Sequence, residues 1–186
     1  MVEALAVTLL PVVFLTVLFV GKEVFRHRQI DMDGEPPVDR TLFYGSKYLI
    51  VLLWAAMVMS SWGMNLAFVE RPKFLKWVAL CLWTSGFILL FSGRFELGSS
   101  FRIGRAKEST GLREDGLFSM SRNPMYLGVY TTLLAAILYT PNPVLLLVGV
   151  FIVFAHHKIV LAEEEHLRNI FGEEYRDYCR RVRRYL

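Results

Sequence analysis

Two short stretches concentrate the residues able to do chemistry. In "SRNPMY", residues 121–126, Arg122, Asn123 and Pro124 run without a linker into an apolar segment; in "EEEHL", residues 163–167, three carboxylates follow another such segment. Proline is welcome in the first turn of a helix, where its missing N–H costs nothing, and Ser121 or Asn123 can cap the N–H groups just outside it, so Pro124 marks a helix start. Arg122 is the surplus. A cation at a helix N-terminus opposes the macrodipole, which leaves two roles: snorkelling to lipid phosphates, or holding an anion beside the N–H groups. Glu163, Glu164 and Glu165 are the converse case. At the C-terminal end of an apolar helix they oppose the dipole and one another, so they either open a separate interfacial helix or await a cation.

Metal chemistry finds little support in these residues. Glu163-x-x-His166 is half of a di-iron pattern, with no partner carboxylates in the other apolar runs. His156 and His157 are adjacent and point in different directions on a helix, while Cys81 and Cys179 form no CxxC pair. No metal is expected.

The elements that must position these residues are apolar. The 186 residues are 54% hydrophobic with a mean hydropathy of +0.40, too apolar for an ordinary soluble domain and short enough for one domain, residues 1–186. The predicted fold class is all-α, a polytopic membrane protein with about five transmembrane helices. The spans cover residues 4–20, 42–62, 74–92, 125–140 and 144–161. The first has Glu3 where a signal peptide carries basic residues, lacks a small-residue cleavage site, and is followed by Lys22, Arg26 and Arg28, so it reads as a retained anchor. The three spans within residues 1–92 carry length and topology; residues 93–186 carry the motifs. "TPNP", residues 140–143, forces the last two spans into a tight antiparallel hairpin, which brings Arg122 and Glu163 to the same end.

Lysine and arginine set the expected orientation. Arg94, Arg102, Arg105, Lys107, Arg113 and Arg122 lie between the third and fourth spans, and seven more basic residues follow residue 157, from Lys158 to Arg184. An outside N-terminus places these segments, and the C-terminus, on the cytoplasmic face. The net charge of +4 is explained by that bias, and no nucleic-acid partner is expected. The long loop of residues 93–123 is either a solvated basic segment or one folded onto the membrane face, as the alternation of Leu112, Leu117, Phe118 and Met120 with polar residues favours. It holds no GxGxxG or Walker pattern. In the tail, Leu167, Ile170, Phe171, Tyr175, Tyr178, Val182 and Tyr185 form one helical stripe flanked by arginines, an amphipathic C-terminal helix that Gly172 can bend. Lys47, near a span end, is read as snorkelling, and a polar transport path has little support.

"GLFSMSRNPMYLG", residues 116–128, and "EEEHLRNIFGEEYRDYCRRVRRYL", residues 163–186, together resemble the isoprenylcysteine carboxyl methyltransferase family. That family shows a G-x-Y/F-x-x-x-R-H-P-x-Y-x-G segment, a helical hairpin, then E-E-x-x-L-x-x-x-F-G-x-E-Y-x-x-Y. The resemblance implies an integral membrane methyltransferase that uses S-adenosylmethionine and releases S-adenosylhomocysteine, with a prenylated or otherwise lipidic substrate taken from the surrounding membrane lipids. Relatives in the wider group methylate phospholipid amines or reduce sterols with NADPH; a non-catalytic membrane scaffold is the reading from another class.

Carried over, Arg122, Pro124, Tyr126 and Gly128 match the RHPxYxG segment and Phe118 its aromatic position. Glu163 and Glu164 match the paired acids; Phe171, Gly172, Glu174 and Tyr175 match the FGxEY box. The resemblance then implies a cofactor wall of Leu112, Arg113, Phe118, Asn123, Pro124, Met125, Tyr126, Glu163 and Glu164. Arg122 and Glu163 are the expected catalytic residues, Arg122 by orienting a carboxylate. Asn123 stands where histidine is usual, which removes a titratable donor and retains hydrogen bonding.

Overall fold

The computed structural model describes residues 1–27, 34–98, 101 and 111–186. The expected basic residues Arg28, Arg102, Arg105 and Lys107 lie outside that set. Six α-helices form among the described residues: α1 (Val2–His27), α2 (Arg40–Ser61), α3 (Lys73–Leu97), α4 (Pro124–Tyr139), α5 (Pro143–Phe171) and α6 (Glu173–Arg181), with a 3-10 turn at Gly116–Ser119 before α4. The chain is an integral membrane protein: α1, α2, α3 and α5 are each long and apolar enough to cross a membrane. Helix α4, with 16 residues, is shorter. At about 1.5 Å per residue it rises about 24 Å, less than the hydrocarbon thickness of about 30 Å.

Helix starts follow local chemistry. The Asp39 carboxylate accepts from the N–H groups of Thr41 and Leu42 to open α2, and the Asn142 side chain accepts from Val144 N–H to open α5 one residue before Pro143. The same Asn142 amide donates to the Leu66 carbonyl at 2.8 Å, which ties the α4–α5 turn to the α2–α3 connection.

Helix α5 corrects one sequence expectation. It continues unbroken past Glu163, Glu164 and Glu165 to Phe171, so these acids do not begin a new helix; it ends only at Gly172, whose φ of 54° is a left-handed conformation suited to glycine. The expected tail stripe is therefore split between the last turns of α5 and the short α6. Helix α3 likewise runs to Leu97, beyond the expected end at residue 92.

Helices α3 and α4 lie in direct backbone contact. A Cβ on Gly86 would stand 3.0 Å from the Gly128 carbonyl oxygen, one on Gly128 2.9 Å from the Gly86 carbonyl oxygen, and one on Gly93 2.6 Å from Met125 Cγ. Small residues permit such approach in membranes, where packing replaces the hydrophobic effect between helices. Gly128 of the motif is thus a packing residue. Phe14, Trp54, Trp83 and Phe87 fill the core between α1, α2 and α3, and Trp54 Nε1 donates to Thr132 Oγ1 at 3.0 Å to join α2 to α4. Leu9, Leu52, Ile88, Leu147 and Phe154 are exposed, as lipid-facing positions are.

Candidate functional site

The helical hairpin does bring its two motif ends together. Arg122 Nε and Nη2 both reach Glu164 Oε1, at 3.1 and 3.0 Å, and Nη2 also reaches Oε2 at 3.2 Å. Arg122 Nη1 donates to the carbonyls of Val182 at 2.7 Å and Cys179 at 3.4 Å, and its backbone N–H to that of Arg183. All five guanidinium hydrogens are therefore spent inside the protein. The expectation that Arg122 orients a substrate carboxylate does not fit this geometry, because the carboxylate it holds is that of Glu164.

Glu164 is equally committed. Asn123 Nδ2 donates to its Oε1 at 3.2 Å, and Arg184 Nε and Nη2 both donate to its Oε2 at 3.0 Å. The Glu164 and Arg122 side chains are only 4% and 10% exposed, so the pair is a buried, bidentate, charge-assisted contact. Bonding to Glu164 raises the Arg184 pKa above its ordinary value. Asn123 also donates to the Arg184 carbonyl and so does not cap α4 with its side chain; Ser121 Oγ instead accepts from Asn123 N–H and donates to the Arg184 carbonyl. The chain from Cys179 to Arg184 is stitched onto the start of α4 by these bonds.

Aromatic residues complete the seam. Tyr178 OH donates to the Phe118 carbonyl at 2.6 Å, while Tyr175, Tyr178 and Val182 pack with Leu112, Leu167 and Phe171. Burial, first of the causes, raises the pKa of both Tyr175 and Tyr178 above the ordinary tyrosine value. The Glu96 carboxylate accepts from Leu117 N–H at 2.9 Å, directly beneath Gly116 with its φ of 58°. A Cβ on Gly116 would stand 2.7 Å from that carboxylate. The loop end is thus folded onto α3 and α6.

A cavity of about 430 Å³ opens beside this seam. Leu112, Arg113, Phe118, Arg122, Asn123, Pro124, Met125, Tyr126, Glu163 and Glu164 all line it, so the structure gathers every residue of the expected set. Glu163 and Glu164 nonetheless differ. Where Glu164 turns to Arg122 and Arg184, Glu163 accepts from Tyr126 OH at 3.0 Å at the cavity wall. The cavity then extends between the spans, lined by Phe14, Leu18, Ile50, Trp54, Leu90 and Val129. One end is polar and aromatic; the other is an apolar limb.

Several lining residues escape sequence reasoning. Lys47 lies on the inward stripe of α2, between the buried Phe43 and Ile50, with its Nζ 3.5 Å from the centre of the Phe43 ring. The expected snorkelling would take it toward lipid headgroups; the helical register takes it into the cavity. His156, 3% exposed, meets the Tyr126 ring edge-on with centroids 5.6 Å apart, and neither ring nitrogen has a hydrogen-bond partner among the described residues. His157 points elsewhere, its Nδ1 2.9 Å from Tyr185 OH. The stripe of Phe43, Lys47, Ile50 and Trp54 at steps of three and four was the available signal for Lys47. His156 had none.

Among known protein families, the model described as phospholipid methyltransferase matches residues 74–174, more than half of the chain, from the start of α3 to the first residues of α6. No curated protein matches the chain.

Proposed function

The chain belongs to the phospholipid methyltransferase family, a family of membrane methyltransferases, and from that premise we propose that it transfers a methyl group from S-adenosylmethionine to a lipid held within the membrane. The observation that carries this reading is a single cavity joining the Glu163 carboxylate to an apolar limb between the spans. A cationic polar group and a lipid tail can occupy its two ends at once.

The donor set suits S-adenosylmethionine. Glu163, oriented by Tyr126, offers a carboxylate to a cationic centre, the Tyr126 ring offers a π-face, and Leu112, Phe118, Leu167, Ile170 and Phe171 offer flat apolar walls to a purine. When bound, this group supplies an electrophilic methyl on a sulfonium. The chain contributes alignment and exclusion of water, which is most of what an in-line displacement by an anionic nucleophile requires. An amine acceptor needs a base as well, and Glu163 is the carboxylate at the wall able to take its proton. Arg122 and Glu164 act one step removed, by fixing the tail and the start of α4 that frame the site.

The acceptor is a lipid with either a thioether-acid carboxylate, as the isoprenylcysteine resemblance implies, or an amine headgroup, as the family description implies. The positive charges of the segment between α3 and α4 and of the tail support a site on the cytoplasmic side. Calorimetry of the detergent-purified chain with S-adenosylhomocysteine and with NADPH tests the reading. Binding of the first, abolished by Glu163→Gln, supports it; binding of NADPH alone indicates a reductase, and binding of neither a scaffold.

A further inference from the structure

We propose that residues 62–77, the connection between α2 and α3 together with the start of α3, form an interfacial element seated at the headgroup level of the lipid leaflet opposite the site, rather than an aqueous loop.

Trp62, Met64, Phe68, Val69, Phe74 and Trp77 are all exposed, Phe68 by 75% and Trp77 by 66%. An exposed apolar patch of this kind marks a contact surface. The cations beside it turn the other way. Arg71 Nη1 donates to the Tyr139 carbonyl, and its guanidinium lies 4.0 Å from the centre of the Tyr139 ring. Lys76 pairs with Glu3, which also accepts from Tyr139 OH at 2.6 Å. Two cations are thus bonded into the bundle while the large apolar groups face out, the reverse of a solvated loop. Glu70 and Lys73 stay exposed, as suits a segment level with headgroups. Trp62 Nε1 donates to Thr8 Oγ1 at 3.0 Å, which satisfies the indole N–H and leaves the ring to lipid, the usual setting of an interfacial tryptophan.

Depth follows from the bonding. Phe68 N–H donates to the Pro141 carbonyl at 2.8 Å, and the Asn142 amide holds the Leu66 carbonyl, so the connection is fixed at the level of the α4–α5 turn. Helix α4, with the site at its other end, rises about 24 Å against a hydrocarbon thickness of about 30 Å, and tilt shortens that reach further. The turn therefore extends no further than the far boundary of the hydrocarbon, where side chains projecting from the connection meet lipid while water still reaches its backbone. The occupant is lipid rather than a second copy because the patch continues along α3 into Val78, Cys81 and Ile88, exposed residues of the span itself.

The test places an NBD fluorophore on single cysteines of the full chain, in a Cys81→Ser, Cys179→Ser background, reconstituted in phosphatidylcholine nanodiscs. Phe68→Cys and Trp77→Cys report the patch; Phe154→Cys, exposed within α5, and Arg180→Cys, exposed on α6, are the lipid and water references. Iodide quenches from water, and phosphatidylcholine brominated either close to the headgroup or deep in the chain quenches from lipid. Iodide quenching at 68 and 77 should be roughly threefold or more below that of Arg180→Cys, as for groups sunk at the headgroup and acyl boundary. Bromine close to the headgroup should quench both labels most, whereas Phe154→Cys should respond most to deep bromine. Iodide quenching equal to that of Arg180→Cys overturns the proposal by showing an aqueous loop. Strongest quenching by deep bromine overturns the headgroup placement, and protection from both quenchers overturns lipid in favour of a second copy. If Phe68→Cys does not reconstitute as a monodisperse particle, Val69→Cys replaces it under the same criteria.

Discussion

Arg122 and Glu164, 42 positions apart, form a bidentate ion pair with contacts of 3.0 to 3.2 Å at the junction of α4, α5 and the tail. The pair is buried, so its value lies less in net attraction than in the penalty for leaving either charge alone.

Removing one partner should accordingly be severe. Glu164→Ala strands Arg122 and Arg184 together and should destabilise the fold by about 3–5 kcal/mol. Thermal unfolding in detergent measures the loss, and limited proteolysis after Val182 should become faster. Glu164→Gln, which keeps an acceptor, should lose less.

Glu163 should behave differently from its neighbour. It accepts from the Tyr126 hydroxyl at the cavity wall, so Glu163→Gln should leave the melting temperature close to wild type while S-adenosylhomocysteine affinity falls. A thermal-shift series with and without the ligand separates the two glutamates. Equal destabilisation by both substitutions would contradict the division of labour argued above.

Gly128 should tolerate nothing larger. Its Cβ would lie 2.9 Å from the Gly86 carbonyl oxygen and 3.1 Å from the Leu90 backbone nitrogen, backbone atoms that cannot turn aside. Gly128→Ala should cost about 1–3 kcal/mol by overpacking, and Gly128→Leu should prevent folding, as read by size-exclusion profile and yield.

Tyr178→Phe removes the hydrogen bond to the Phe118 carbonyl and should cost about 1 kcal/mol, with faster amide exchange at residues 116–121. The hydroxyl also predicts an alkaline limit. Its pKa is raised in the fold, chiefly by burial. The folded state therefore favours the neutral phenol, whose contribution is complete below the free tyrosine value of about 10 and declines as pH rises through the folded value. Tyr178→Phe should be less sensitive to pH in that alkaline range than wild type.

Some of this was legible without coordinates because it is local. Pro124 and Pro143 declare helix starts, and Asn142 caps its helix as its type predicts. The hairpin follows from the four residues between two apolar runs. The residues of the expected cofactor wall were legible as a set by resemblance, and all of them line one cavity, whereas Gly128, Gly172 and Glu174 of the motifs do not. Asn123 shows where local reading stops. Its type and position promised a cap, yet a carboxylate from another helix and a tail carbonyl claimed its amide.

By itself the sequence determined the all-helical membrane architecture, the hairpin, and the end of the bundle where the motif residues gather. Each of these depends on hydrophobic length, turn composition and residue type, which act over a few neighbouring positions. Only the tertiary structure decided that Glu164 turns to Arg122 and Arg184 while Glu163 turns to Tyr126, that Arg122 clamps the tail, and that Lys47 and His156 line the cavity. These roles depend on which charges meet across helices, and adjacent glutamates on one helix point about 100° apart. Two identical residues can therefore acquire opposite partners, a difference that no local pattern encodes.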